Sequence, residues 1–406
     1  MKNLFRNINA KIVLIVILAF LFGWQMGHRD VTVKWATYRP TVSVINKEPP
    51  KNINIDFKLF WDTWDLLSRT YLDKKAINPE KLFYGAISGM VSALGDPYTG
   101  FLPPEQQKFS KEDLNGSFEG VGIQLGFNKD KRLIVMAPLD GTPAKQAGIK
   151  PQDLIVKIED KDTTNMTLPE AVSLIRGPKG SKIDLTIFRE GDKDTRLFTL
   201  TRDNILVKSV EVVYKDTKSG KKVAVIKLSR FGERTNDEWN EAVSGLISAG
   251  SEAVILDLRN NPGGFLEGAV FIASEFLEGG DVVLQENSEG QRNAFKVTRT
   301  GKLTKMPAKV LINKGSASAS EIVAGALQDR GRAQLIGEKS FGKGTIQEAL
   351  ELERETGIHI TVAKWLTPNG RWVNDAQGLD PDVKIEIDQE DPAKDPQLDK
   401  ALEMLE

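Results

Sequence analysis

The chain has no cysteine among its 406 residues. That absence excludes a thiol nucleophile, disulfides, thiolate-zinc sites and lipidation at cysteine. It suits an oxidising compartment without identifying one. Histidine is almost absent too, with His28 and His359 the only two. His28 flanks an apolar N-terminal segment, which leaves one histidine for chemistry in the body. A Ser-His-Asp triad has little to be built from. A serine hydrolase on this chain would take its base from a lysine, the Ser-Lys variant of the same logic. Neither sign of charge dominates: the net charge of -1 carries no footprint of nucleic acid or another polyanion. No group of His, Asp or Glu has metal-ligand spacing, so neither metal nor cofactor is implied.

What is present divides into regions. Lys2, Arg6 and Lys11 precede an apolar run over residues 12–24, the order of a charged and then a hydrophobic targeting segment. Residues 1–29 are read as a signal anchor or signal peptide. The uncleaved anchor is favoured because no small-x-small site follows. Residues 30–54, with Pro40, Pro49 and Pro50, read as a linker. Residues 55–115 read as a helical domain. Phe57, Phe60, Trp61, Trp64 and Leu67 recur at helical spacing, and Gly95-Asp96-Pro97-Tyr98 breaks a second helix. No chemistry is assigned there. Residues 116–203 form a β-rich stretch with a Gly-rich loop, F-E-G-V-G-I-Q-L-G, and a capping box at Thr167-Leu168-Pro169-Glu170. Strand and helix patterns alternate over residues 204–390, which predicts an α/β layer with a largely central sheet. Residues 391–406 are read as a C-terminal tail.

Two segments carry the chemistry: N-K-G-S-A-S-A-S-E-I (residues 313–322) and F-G-K-G-T-I-Q (residues 341–347). Ser318 follows a strand pattern and opens a helix, where free N–H groups can stabilise an oxyanion. The same residues spell a second capping box, Ser318 to Glu321, so a purely structural cap competes with a nucleophile. Ser316 and Ser320 are the neighbours that could be mistaken for it. Lys343 lies between Gly342 and Gly344. A lysine base must be neutral near neutral pH, against an ordinary value of about 10.4, and burial moves it that way. A strand from Gly344 onward would place Thr345 and Gln347 on the face of Lys343. The segment L-D-L-R-N-N-P-G-G (residues 256–264) ends a strand in a glycine turn. An amide at Gly263 or Gly264 can complete an oxyanion hole with that of Ala319, while Asp257 and Arg259 pair internally. Residues 337–343 imitate a phosphate-binding loop but lack its final Ser or Thr. Ser340-x-x-Lys343 imitates a penicillin-binding motif, but two glycines oppose the helix it needs. His359, in a strand pattern, is read as structural.

In this order, over roughly residues 84–383, the motifs resemble the carboxyl-terminal processing proteases, Ser-Lys peptidases that carry a PDZ domain. The resemblance implies a multi-domain α/β chain: a small helical domain, a β-rich PDZ domain and an α/β protease core behind the N-terminal membrane segment. It implies Ser318 as nucleophile, Lys343 as base and Gln347 as the residue that orients the lysine. Ala319 and Gly263 become the oxyanion donors, with Gly264 the other candidate. Gly120, Val121, Gly122 and Ile123 become the loop that takes a terminal carboxylate, and Arg176 a link from PDZ domain to core or a cap on its helix. The implied function is a serine endopeptidase cutting polypeptides near their free C-termini. The implied location is the cytoplasmic membrane, with the body on the extracytoplasmic, periplasmic side. Homo-oligomer formation is left open. The alternative is a catalytically inactive PDZ scaffold, against which the complete set Ser318, Lys343 and Gln347 argues.

Overall fold

The computed structural model describes residues 55–387, 391 and 394–406, the backbone of strands Asp30–Ala36 and Arg39–Ile45, and residues 17 and 20. The apolar run at residues 12–24 otherwise lies outside the described residues. Among the described residues no helix is long and apolar enough to cross a membrane. The chain divides into two compact units, Met1–Pro79 and Glu80–Glu406.

In the first unit the expected linker is instead an antiparallel hairpin, paired from Asp30↔Ile45 to Ala36↔Arg39. The sequence alternates Val31, Val33, Trp35 on one arm and Val42, Val44 on the other. That period of two marks strands, and the prolines concealed it. The helix Lys58–Thr70 follows and buries none of its residues; Phe60, Trp61 and Trp64 contact one another along one side.

The second unit begins with helices Pro79–Ser92 and Pro104–Asn115, joined through a short strand, Gly100–Leu102. A six-stranded antiparallel sheet comes next, in the order Arg196–Thr201, Lys182–Phe188, Leu154–Ile158, Leu133–Pro138, Ile123–Phe127, with the short Lys161–Asp162 paired to Leu154–Ile158 off this path. Helix Leu168–Ile175 starts at the anticipated capping box, with Thr167 N–H donating to Glu170 at 2.8 Å. Its Ala171 and Ile175 pack on Val121, Val135, Ile155, Leu185 and neighbours to close a separate core. Strand Ile123–Phe127 is left at the sheet edge beside this helix.

The largest core surrounds a six-stranded sheet ordered Val210–Asp216, Lys222–Leu228, Ala253–Asp257, Ala308–Ile312, Gln334–Gly337, Val383–Lys384. The first pair is antiparallel and the others are parallel. Parallel strands must be covered on both faces, and the alternation within them shows how. Ala224, Ile226, Val254 and Leu256 join helices Thr235–Ser248, Leu266–Phe276 and Ala319–Asp329 in one cluster that includes Trp239 and Phe276. Val223, Val225, Ile255, Leu311 and Ile336 face the other way and meet Ala401 and Leu405. The segment read as a C-terminal tail is therefore a core element, helix Pro396–Glu403, capped by Asp395. Leu398, Ala401, Leu402 and Leu405 supply its apolar stripe, too short to stand out among the charges around it. A second antiparallel sheet, Arg292–Lys296, Asp281–Asn287, Gly357–Leu366, Thr345–Glu351, also receives Gly100–Leu102.

The C-terminal helix is locked by charge as well. Arg259 reaches Asp257 at 2.7 Å, Asp395 at 2.8 Å and the Gln397 amide oxygen at 3.0 Å. The two carboxylates hold the guanidinium in its charged form. Arg259→Met strands a buried Asp257 and removes the tether. It should cost roughly 3 kcal/mol, read as a lower midpoint in urea unfolding; an unchanged midpoint would show that the pairs contribute nothing net.

Candidate active site

Three neighbouring parallel strands, Ala253–Asp257, Ala308–Ile312 and Gln334–Gly337, send their carboxyl ends to one place, where α/β sheets commonly bind ligands. Each continues into one of the three motif segments. The first two loops are stitched together by amides. Asn313 Oδ1 accepts the Asn260 N–H at 2.9 Å and the Gly315 N–H at 3.0 Å, and Asn313 Nδ2 donates to Asn260 Oδ1 at 2.9 Å. The neighbouring serines are consumed by this stitching. Buried Ser316 donates to the Leu258 carbonyl and buried Ser320 to the Asn261 carbonyl, both at 2.8 Å. Ser318 differs. It is half-buried at the mouth of helix Ala319–Asp329, with φ 55°, and among the described residues its hydroxyl donates to no acceptor.

The Ser318–Glu321 pair does have the arrangement of a capping box, with Glu321 accepting the Ser318 N–H at 2.8 Å. The glutamate does more than cap, however. It is fully buried, and its carboxylate also accepts from Gly342 N–H at 2.7 Å, Lys343 N–H at 2.9 Å and the Ser340 hydroxyl at 2.5 Å. Burial pushes its carboxyl above the ordinary range, and these four donors pull it back. One side chain thus fastens the lysine loop to the serine turn. The glycines around Lys343 are required by contact. Gly342 has φ 93°, and a methyl on it would lie 2.8 Å from the Gly378 nitrogen. A methyl on Gly344 would lie 2.6 Å from Trp372 Nε1.

Lys343 is depressed below the ordinary lysine range by burial, opposed by the charges of Asp96 and Glu321. Its Nζ lies 5.0 Å from the centre of the Tyr98 ring. Among the described residues no hydrogen bond joins it to Ser318 or to Gln347. The Gln347 amide instead donates to Thr345 Oγ1 at 2.9 Å and Thr361 Oγ1 at 3.0 Å. The expected lysine–glutamine pair is therefore not made here. The strand begins at Thr345, so alternation along it does not extend to Lys343, whose backbone is set by Glu321. His359 is on strand Gly357–Leu366, lowered by burial and by the Lys343 charge.

The oxyanion donors also need a correction. Ala319 N–H is free of acceptors among the described residues, as expected. Gly263 N–H, however, donates to Asn261 Oδ1 at 2.9 Å, because the asparagine side chain folds back on its own turn. Among the described residues the Gly264 N–H of that turn has no acceptor. Gly263 instead provides clearance, since a methyl on it would sit 2.9 Å from Ser318 Cβ.

A separate cavity of about 470 Å³ opens between helix Leu168–Ile175 and the edge strand Ile123–Phe127 on one side, with Val121, Gly122 and Arg176, and Glu211, Lys227 and Arg230 of the core on the other. Among the described residues the N–H groups of Val121 and Gly122 have no acceptor. Gly122 has φ 77°, and a methyl on it would strike Thr142 at 2.4 Å. Gly120 ends the preceding strand outside the cavity lining, against the Phe118 ring. Arg176 caps its helix and is clasped by Phe109 and Phe118, with its guanidinium 4.8 and 4.6 Å from the ring centres. Its ion pair, at 2.8 Å, goes to Glu112. The expected link to the core therefore passes through helix Pro104–Asn115, whose Asp113 meets Arg230 at 3.3 Å and whose Leu114 carbonyl accepts Glu233 N–H at 3.0 Å.

Residues 222–385 match peptidase family S41, residues 109–188 match the PDZ domain, and residues 32–105 match the N-terminal domain of the activating protease CtpB. The last match starts inside the hairpin that the sequence had hidden. The chain is 40% identical over 342 residues to the carboxy-terminal processing protease CtpA of Bacillus subtilis (strain 168), covering 83% of this chain and 71% of that one. It is 39% identical over 347 residues to the carboxyl-terminal-processing protease of Synechocystis sp., covering 81% of each. Among solved structures it resembles the photosystem II D1 C-terminal processing protease at 28% identity and a TM-score of 0.50, covering 81% of this chain and 92% of that one.

Glu321→Ala would leave the N–H groups of Ser318, Gly342 and Lys343 without their acceptor. A loss of about 3 kcal/mol or more is expected, with hydrogen exchange accelerated at residues 340–344. Protection there equal to wild type would mean that the clamp is not what orders the loop.

Proposed function

The chain belongs to the carboxy-terminal processing proteases, a family of serine-type peptidases with a PDZ domain, and we propose that it cleaves polypeptides near their C-termini by a Ser-Lys mechanism. The observation that carries this reading is the contrast among the three serines: two donate to carbonyls, and Ser318, among the described residues, donates to no acceptor and is followed by the unengaged amide of Ala319. Ser318 Oγ attacks the scissile carbonyl while its proton passes to Lys343 Nζ. The amides of Ala319 and Gly264 hold the oxyanion. Lys343 returns the proton to the leaving amine, and the acyl-enzyme is then hydrolysed by water with Lys343 again as base.

The substrate's terminal carboxylate enters the nest of free N–H groups at Val121 and Gly122, and its last residues add as a strand to the open edge of Ile123–Phe127. Occupation of this groove shifts Arg176 and, through helix Pro104–Asn115, the core. That shift brings Gln347 onto Lys343 and Lys343 onto Ser318. The N-terminal apolar run anchors the protein in the cytoplasmic membrane, a reading that the charged residues Lys2, Arg6 and Lys11 ahead of the run support, and the family resemblance favours the body on the extracytoplasmic side.

Two results test the mechanism. Ser318→Ala and Lys343→Arg should each lower cleavage of an unstructured protein by at least ~10³-fold, and retention of full activity in either variant refutes the assignment. The rate should also rise with pH through one ionisation centred below the ordinary lysine value of 10.5. Below that midpoint the amine is charged and cannot take the serine proton; a rate independent of pH across this range would exclude lysine as the base.

A further inference from the structure

The sequence assigned no chemistry to Asp96-Pro97-Tyr98-Thr99, yet this turn reaches the active site. It leads from helix Pro79–Ser92 into strand Gly100–Leu102, which pairs with Gly357–Leu366 in the sheet that carries Gln347. Asp96 Oδ1 accepts the Tyr98 N–H at 3.0 Å and Asp96 Oδ2 the Thr99 hydroxyl at 2.6 Å. Thr99 Oγ1 accepts the Thr361 N–H at 3.0 Å. The Thr361 hydroxyl in turn receives the Gln347 amide. A continuous hydrogen-bonded ladder therefore runs from Asp96 to Gln347, and it presents the half-buried Tyr98 ring 5.0 Å below Lys343 Nζ.

We propose that Tyr98 is a positioning residue for the active-site lysine: its ring face seats the Lys343 ammonium in the resting enzyme, and Asp96 and Thr99 lock that seat to the strand of Gln347. The inference rests on Lys343 as the base. A cation within about 6 Å of an aromatic face is attracted to it, more strongly where water is excluded. Around Lys343 the other titratable groups are Asp96 on the same turn, Glu321 on the serine helix and His359 on the neighbouring strand. Burial withdraws the lysine proton, while Asp96, Glu321 and the ring retain it. The lysine is thereby parked, charged and located, until substrate displaces it toward Ser318. The segment ahead of the PDZ domain becomes part of the site.

The full chain tests this in two parallel titrations across neutral to alkaline pH. Competitive acylation with acetic anhydride, read by mass spectrometry, reports Lys343. A fluorophosphonate reports Ser318. Tyr98→Leu should lower the Lys343 midpoint by roughly half a unit or more and slow Ser318 labelling even where the lysine is neutral. Tyr98→Phe, which keeps the ring, should restore the wild-type midpoint, and Asp96→Asn should lower it. A midpoint unmoved by Tyr98→Leu, or moved as far by Tyr98→Phe, overturns the seat while leaving Ser318 and Lys343 in their roles. If Tyr98→Leu fails to fold, a midpoint unmoved by Asp96→Asn or displaced by Tyr98→Phe does the same. A wild-type Ser318 that never labels even with a C-terminal peptide filling the groove, beside a Lys343 midpoint that still answers to Tyr98, refutes the nucleophile instead and keeps the seat.

Discussion

The buried carboxylate of Glu321 is the interaction on which the site depends. The parallel sheet delivers three loops to one end, but strands alone do not fix how the loops meet. Glu321 fixes two of them by taking donors from Ser318 on one side and from Ser340, Gly342 and Lys343 on the other. Burying a carboxylate is costly unless its acceptor sites are filled, and here the donors are the backbone that has to be ordered. The cost of burial and the ordering of the site are the same contacts seen from two sides. Glu321 serves the backbone N–H of Ser318 in the capping box, and the Ser318 hydroxyl proton is left without an acceptor among the described residues.

The sequence made the centre of this site readable because small residues and glycines mark close approach. The run around Ser318 and the Gly-Lys-Gly step stand out in composition, and the glycines prove to face backbone and Trp372 at distances no side chain tolerates. Residues whose role depends on a partner far along the chain were less legible. Nothing local distinguishes Glu321 from an ordinary capping glutamate, or Tyr98 from a turn residue. Asn261, which claims the Gly263 amide, lies within the motif itself, but its folded-back rotamer is a matter of geometry rather than spacing. The C-terminal helix escaped notice because its stripe is only about two turns long and gains meaning only against the sheet it covers.

Function on this chain is distributed over segments that look separate in sequence. Helix Pro104–Asn115 is mostly polar at its surface, yet it holds Arg176 through Glu112 and Arg230 through Asp113. Residue Phe231, next to Arg230, exchanges hydrogen bonds with Gly263 and Phe265 across the glycine turn. The groove, the bridging helix and the glycine turn are therefore joined by short contacts.

The backbone of Ser318, at φ 55° and ψ -116°, occupies ground that only glycine visits at ease. Holding a serine there costs on the order of 1–3 kcal/mol, and the surrounding hydrogen bonds absorb it. Glycine at this position would relieve that strain, so the serine side chain is held there against the preference of its own backbone.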